Sequence, residues 1–527
     1  MCRQWPVLAA VPVYLVMVVL TFGHTPDDGL ITLRFAENVL AYGRPDFNVG
    51  DPVEGYSSPL HLLVAIVAAL APGAYTTLAL KLLGVVFGGA VLWQTVRLGR
   101  NVGLTERVQF VCALLVALSW NLAASSVNGL ETSLYVLLLT GLVASLTAEP
   151  ARVWAGSGWA VLLVLTRPDA VVLVTALAGG CLLLRTAQPV PSRIRWALAP
   201  VFALVALVVF RYLYFRQLLP NTYHAKDLPL SESIPLGLEY LLQGQPWWGT
   251  SAPLAAAALA VQIVCAAAAV RLWWTSRRTA LLVALVIAAQ GAVILRAGGD
   301  WMYGARHLSP VIPALTVAAV AGAVYLVRRI RALIDARHPD YGAARTGAIL
   351  TTAAAAALIV AFTGPALNTY HPPSAIIGVD NTALIRTGGY EVYSPLWIES
   401  VRLTECLPPG TSVAFSEMGL FGLSNRHLDV VDTRGLTNSE IAHTAPPQIK
   451  KRTGVEDPNW SDPDSTVGSV LIERKPDVIL AISDEDPQPT VLGGRYTLIS
   501  TYQPADGTPR LAHYRADADT THSCGDS

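Results

Sequence analysis

Two adjacent carboxylates, Asp27 and Asp28, follow at once on an apolar run, WPVLAAVPVYLVMVVLTFG, that ends at Gly23. Acids at a bilayer surface are costly to desolvate, and they are well placed to work on a substrate that lives in the bilayer. The pair has two readings. As a general base, or as a carboxylate pair for a divalent cation, it faces the outer leaflet, and mutual repulsion raises the pKa of one member. As a helix cap, an Asp in the first turn of DGLITLRFAENVL complements the helix dipole. Arg34 follows Asp27 by about two helical turns, so both can share a face. A carboxylate and a guanidinium on one face suit an anionic lipid headgroup; the plain alternative is a surface ion pair.

Other charged residues stand near the ends of apolar runs. Glu54 lies in VEGYSSPLHLL and is either a second acid of the site or a polar loop residue. Glu131, in NGLET, sits at the mouth of a span, where a helix N-terminal charge is also expected. Arg167 and Asp169, in TRPD, interrupt an apolar run, and charges there are rare and usually functional; a buried pair that only holds the turn is the other reading. His224 and Lys226 come from LLPNTYHAKD, and Asp300, Arg306 and His307 from AGGDWMYGARHLSP. One cation near a span end can simply snorkel. Several beside acids on one face form a phosphate site. Lys81 lies within a span and either snorkels out or reaches an anionic group.

These residues need elements to bring them together. The 527-residue chain is 53% hydrophobic and 14% charged, whereas soluble domains carry roughly 25% charged residues. A polytopic α-helical membrane protein is expected. The net charge is zero, which argues against nucleic acid as a partner. The first apolar run has no small-residue cleavage site after it and reads as a retained span. Clear candidate spans are 5–23, 75–96, 108–124, 132–147, 196–214, 251–270, 279–296, 308–327 and 346–363. The positive-inside rule places the Arg-rich loops near 97–107, 185–195, 271–278 and 328–345 in the cytoplasm. That requires 59–72 to dip in and return or to lie along the interface, and 154–184 to cross twice, turning at Arg167-Pro168-Asp169. The result is about eleven spans with the N-terminus inside and the C-terminus outside. The polar loops that carry the charged residues above then share the outer face of the plasma membrane.

After 363 the chain turns polar and rich in Pro and Gly. TSVAFSEMG, LDVVDTRGL, PDVILAIS, RYTLISTYQ and RLAHYRA read as short strands between turns. Residues 1–363 are expected to form a transmembrane domain and 364–527 an extracytoplasmic α/β domain. Of six cysteines, Cys406 and Cys524 fall in that domain and could pair in an oxidising compartment; Cys2, Cys112, Cys181 and Cys265 read as inert thiols. No Cys or His spacing suits a metal.

The blocks DDGLITLRFAENVLAYGRPDFNVGDPVEGYSS, NGLE, LTRPD, LLPNTYHAKD, GGDWMYGARHLSP and MGLFGLSNRHLDVVDTRGL resemble, in order, those of GT-C membrane glycosyltransferases. More closely they resemble the terminal arabinofuranosyltransferase family of the mycobacterial cell wall, which builds polymers such as arabinogalactan. The resemblance implies a donor sugar on a polyprenyl phosphate, such as decaprenyl-phosphoryl-arabinose, entering from the outer leaflet. It implies a catalytic Asp at the end of the first span, which falls on Asp27 and Asp28. It implies cations on the donor phosphate, for which Arg34, Lys226, Arg306 and His307 are the candidates. The C-terminal domain would help to hold a polysaccharide or glycolipid acceptor. A transferase using a polyprenyl-phosphate hexose such as mannose is the near alternative. A lipid or solute transporter is the distant one, but it predicts inverted repeats and midplane sites, and the charged residues gather at one face instead.

Overall fold

The computed structural model describes residues 4–23, 25–183, 194–243, 267, 277–302, 305–337, 394–504 and 509–516. The expected spans 251–270 and 346–363, the 363/364 boundary, Cys2, Cys265 and Cys524 lie outside them.

Nine helices open the chain: α1 Trp5–Thr21, α2 Asp28–Tyr42, α3 Pro59–Ala69, α4 Thr76–Asn101, α5 Glu106–Ala117, α6 Trp120–Val127, α7 Thr132–Thr147, α8 Val153–Thr166 and α9 Ala170–Leu183. Longer apolar helices follow at Leu198–Phe215, Arg277–Ala297 and Ile312–Arg337. Among the described residues four helices are long and apolar enough to cross a membrane, and α5 with α6 makes a fifth if the bent pair is one span. The apolar run 108–124 is therefore not one straight span. It bends by 57° between α5 and α6, because Ser119 leaves the helical conformation and its hydroxyl accepts the Leu122 N–H to start α6. Helix α3 starts on Ser58, whose side chain accepts the His61 N–H, with Pro59 in the first turn. At 11 residues it is about 17 Å long, too short to span.

The ends of the helices sort into two faces. The Trp5 indole N–H donates to Glu106 at 3.1 Å, so the start of α1 lies beside the start of α5 and the 97–107 loop. At the other end, the Lys81 ammonium donates to the Phe22 carbonyl at 2.6 Å, and Lys81 is fully buried. Lys81 thus neither snorkels nor lines a cavity; it neutralises the C-terminal end of α1. α2, the NGLE loop and the Arg167–Asp169 break all gather at this second face.

The C-terminal domain carries a six-stranded sheet of order β2-β1-β5-β8-β7-β6. Its strands are β1 Ser412–Phe415, β2 Asp429–Asp432, β5 Val478–Ser483, β6 Thr490–Val491, β7 Tyr496–Tyr502 and β8 Arg510–Arg515, and the separate hairpin is β3 Lys450–Lys451 with β4 Gly454–Val455. β1 runs parallel to β2 and β5, and the remaining pairs are antiparallel. Every stretch read as a strand from the sequence holds one. Cys406 is disulfide-bonded. One apolar core joins the two parts: Leu30, Phe35 and Phe47 pack in the same cluster as Trp397, Phe415, Phe421 and Val478.

Candidate active site

Helix α2 begins at Asp28, one residue after the chain passes through Asp27, and the two carboxylates go different ways. Asp27 is buried. Its carboxylate accepts the Gly419 N–H at 2.6 Å and the Leu420 N–H at 2.8 Å, capping the short helix Leu420–Ser424 of the C-terminal domain. A Cβ on Gly419 would stand 1.9 Å from the Asp27 carbonyl oxygen, so only glycine admits this approach. Burial, helped by the charge of Glu417, pushes the Asp27 carboxyl up to about 8, against the two N–H bonds that favour its ionised form.

Asp28 instead lines a cavity of about 760 Å³, within the size range of small-ligand sites. The walls come from the α2 start, the Tyr56–Ser58 loop, the Leu130–Glu131 turn, the α8–α9 break, the Leu219–Asp227 segment, the Arg296–Asp300 loop, Arg306, His307 and Arg452. Gly29 lets the start of α2 close on the turn that leads to Glu131, because a Cβ there would stand 2.2 Å from the Asn128 carbonyl oxygen. Part of the wall is apolar, including Ile31, Leu130, Val172, Leu219 and Val293.

The charges inside are arranged in pairs. Arg167 donates to Asp169 at 2.9 and 3.1 Å and to Glu131 at 2.8 Å, and it lies 3.4 Å from the His307 Nε2. Burial alone would raise the Glu131 carboxyl, but Arg167 and Arg306 overcome it and hold the group at about 2. Lys226 stands 3.5 Å from Asp28. Arg306 pairs with Asp300; burial opposes the ionised Asp300, and Arg306, His307 and Lys226 outweigh it, so its carboxyl falls well below the ordinary range. His307 is fixed by its N–H to the Tyr240 hydroxyl and its carbonyl from Gln290.

Eight of the residues singled out in the sequence therefore meet in one cavity: Asp28, Glu131, Arg167, Asp169, Lys226, Asp300, Arg306 and His307. Five do not line it, Lys81 at the end of α1 among them. Asp27 faces the C-terminal domain. Arg34, buried under Phe47 at 4.1 Å, donates to the carbonyls of Phe47, Gly422, Asn425 and Leu428 and to the Asn48 amide oxygen. Those bonds engage all five of its N–H groups and leave none for a phosphate. Glu54 is buried against Arg211, with contacts of 2.8–3.0 Å. His224 stacks on His443 of the C-terminal domain at 4.2 Å. The sequence reading missed Asp227, Arg296 and Arg452, which also line the cavity. Arg296 and Asp227 form an ion pair; Asp227 is the last residue of LLPNTYHAKD, Arg296 stands just before AGGDWMYGARHLSP, and Arg452 sits in a basic turn, KKRTG. Among the described residues no group of His, Cys, Asp or Glu side chains is arranged to hold a metal ion.

A family model described as a domain of unknown function, DUF8728, matches residues 385–522, the C-terminal domain. No curated protein matches the sequence. Solved structures do. ArnT from Cupriavidus metallidurans bound to undecaprenyl phosphate is 15% identical with a TM-score of 0.51, over 98% of this chain and 99% of that one. The apo oligosaccharyltransferase of Archaeoglobus fulgidus is 9% identical with a TM-score of 0.55, over 98% of this chain and 75% of that one. The same archaeal enzyme, AglB, in complex with an inhibitory peptide and a dolichol-phosphate is 9% identical with a TM-score of 0.54, over 91% and 69%. Apolar helices, a C-terminal sheet domain and these likenesses over nearly all of this chain together give it the GT-C fold of a membrane protein.

Proposed function

We propose that the protein is an integral-membrane glycosyltransferase that moves a sugar from a polyprenyl-phosphate donor to a cell-envelope polysaccharide acceptor, at the outer face of the plasma membrane. The observation that carries this reading is the cavity itself: Asp28 lines it beside Lys226, with Arg306, Arg167 and His307 also in the lining and apolar side chains along the wall. Solved structures of the same fold, bound to undecaprenyl phosphate and to a dolichol-phosphate, support a lipid-phosphate donor. The order of the sequence blocks favours arabinofuranose on decaprenyl phosphate.

In the transfer, an acceptor hydroxyl oxygen forms a bond to the anomeric carbon while the bond from that carbon to the phosphate oxygen breaks. The hydroxyl proton passes to a carboxylate oxygen of Asp28. The electron pair of the broken bond stays on the lipid phosphate, where Lys226 and Arg306 stabilise it. The 3.5 Å contact between Lys226 and Asp28 is long for an ion pair, so Lys226 can turn to a phosphate at small cost. Asp27 positions Asp28 by locking the C-terminal domain against the start of α2. Purified protein in vesicles, given a panel of radiolabelled polyprenyl-phosphate sugars and an arabinogalactan acceptor, is expected to transfer label from the arabinose donor. Transfer from a hexose donor would reassign the sugar, and movement of label across the bilayer without transfer would replace the reading with a transporter.

A further inference from the structure

The cations that line the cavity are not equally engaged. Arg167 is held by Glu131 and Asp169, Arg306 by Asp300, Arg296 by Asp227 and Lys226 by Asp28. Arg452 forms no ion pair among the described residues, and its one hydrogen bond there is a long 3.4 Å contact to the Gly298 carbonyl. Without it, and leaving His307 aside, the lining sets four cations against five carboxylates, a balance that repels a phosphate. Arg452 restores neutrality and is the lining cation that no carboxylate among the described residues holds.

Its position is built, not incidental. Arg452 and Thr453 form the turn between β3 and β4, whose register pairs Lys450 with Val455 and Lys451 with Gly454. The Val455 N–H donates to the Arg434 carbonyl at 2.8 Å, and the Arg434 guanidinium donates to Glu456 at 2.8 Å. The base of the hairpin is thereby fixed to the sheet domain while its tip reaches the Gly298 loop of the membrane domain. We infer that Arg452 is a ligand of the donor's lipid phosphate, delivered to the cavity by the C-terminal domain. That domain thus completes the donor site. The inference rests on the transferase reading above and deepens it.

Binding of a short-chain polyprenyl phosphate, and of the uncharged polyprenol of equal length, tests it on the full-length wild type, Arg452→Gln and Arg452→Lys. Arg452→Gln is expected to weaken polyprenyl phosphate binding about ten-fold or more, as loss of a charged hydrogen bond does, while polyprenol binding and the melting temperature stay unchanged. Arg452→Lys, which keeps the charge, is expected to fall between. Unchanged phosphate affinity in Arg452→Gln overturns the inference and leaves the transferase reading standing. An equal loss of polyprenol binding also overturns it, since Arg452 would then be a wall residue. A wild type that binds the two lipids equally removes the lipid-phosphate site, and both readings with it.

Discussion

Asp27 holds the backbone N–H groups of Gly419 and Leu420, whereas Asp28, the next residue, faces the cavity and Lys226. Asparagine keeps the size of aspartate and removes its ability to take a proton. Asp28→Asn is therefore expected to cut transfer by about 10²-fold or more, the scale of general base catalysis, while donor binding persists through the cations. Asp27→Asn is expected to retain transfer per folded molecule and to melt at a lower temperature, because the Asn amide turns an N–H toward a backbone N–H. Assays of initial rate on both variants decide this; full activity in Asp28→Asn would reject its role. The carboxylate pair at the exit of the first span was legible in the sequence. Which member faces the cavity was not: the helical face shared with Arg34 favours Asp27, but the partner of Asp27 lies 392 residues further along the chain, and Asp28 lines the cavity. Arg34 hid its role for the same reason: its carbonyl acceptors at 422, 425 and 428 are invisible to local spacing.

Some helices were legible nearly to the residue, as α7 at 132–147, whereas the helix expected at 308–327 runs on through its arginines to Arg337, because an apolar run marks the buried length and not where the helix stops. The α5–α6 bend was not legible, since neither Pro nor Gly marks Leu118 or Ser119. Loop geometry was the other blind spot. The loop before α3 is tied to the helix Leu198–Phe215 by the Glu54–Arg211 pair, whose side chains are 1% and 3% exposed. Burial raises the Glu54 carboxyl and Arg211 draws it back. Removing one partner leaves the other charge buried and alone, at a cost of about 3–5 kcal/mol, whereas replacing both by apolar residues is close to neutral. Glu54→Gln is thus expected to be strongly destabilised, and the double variant Glu54→Leu/Arg211→Met to recover most of the loss, as measured by denaturation in detergent. Additive losses in the double variant would show that the pair stabilises through something other than mutual neutralisation. In either variant Asp28 and Lys226 keep their chemistry, so Glu54 is expected to matter for the yield of folded protein more than for the rate.

The membrane and sheet domains share one apolar core and close the cavity between them, so docking of the domains is a condition of the site. Domains joined within a chain usually meet over polar, mobile interfaces; here Asp27 and Arg34 stitch a buried one. That stitch titrates. The folded Asp27 carboxyl is raised from 3.8 to about 8, first by burial and then by Glu417, with Asp28 adding to the same effect. Burial likewise raises Glu417, helped by Asp28, while Arg434 opposes the shift. For an acid with a raised folded pKa, the folded state holds the proton that the unfolded state has lost, so stability is complete below about pH 4 and declines as pH climbs toward about 8. Above that the group is ionised in both states and the decline stops. Other acids titrate in the same window, so the informative quantity is the difference in melting temperature between wild type and Asp27→Asn. That difference is expected to shrink steadily from pH 4 to pH 8 and then level off, with the C-terminal domain becoming easier to release by limited proteolysis in the wild type over the same range. A difference that stays flat or grows with pH would mean that Asp27 is ionised throughout, held so by the two N–H groups it caps.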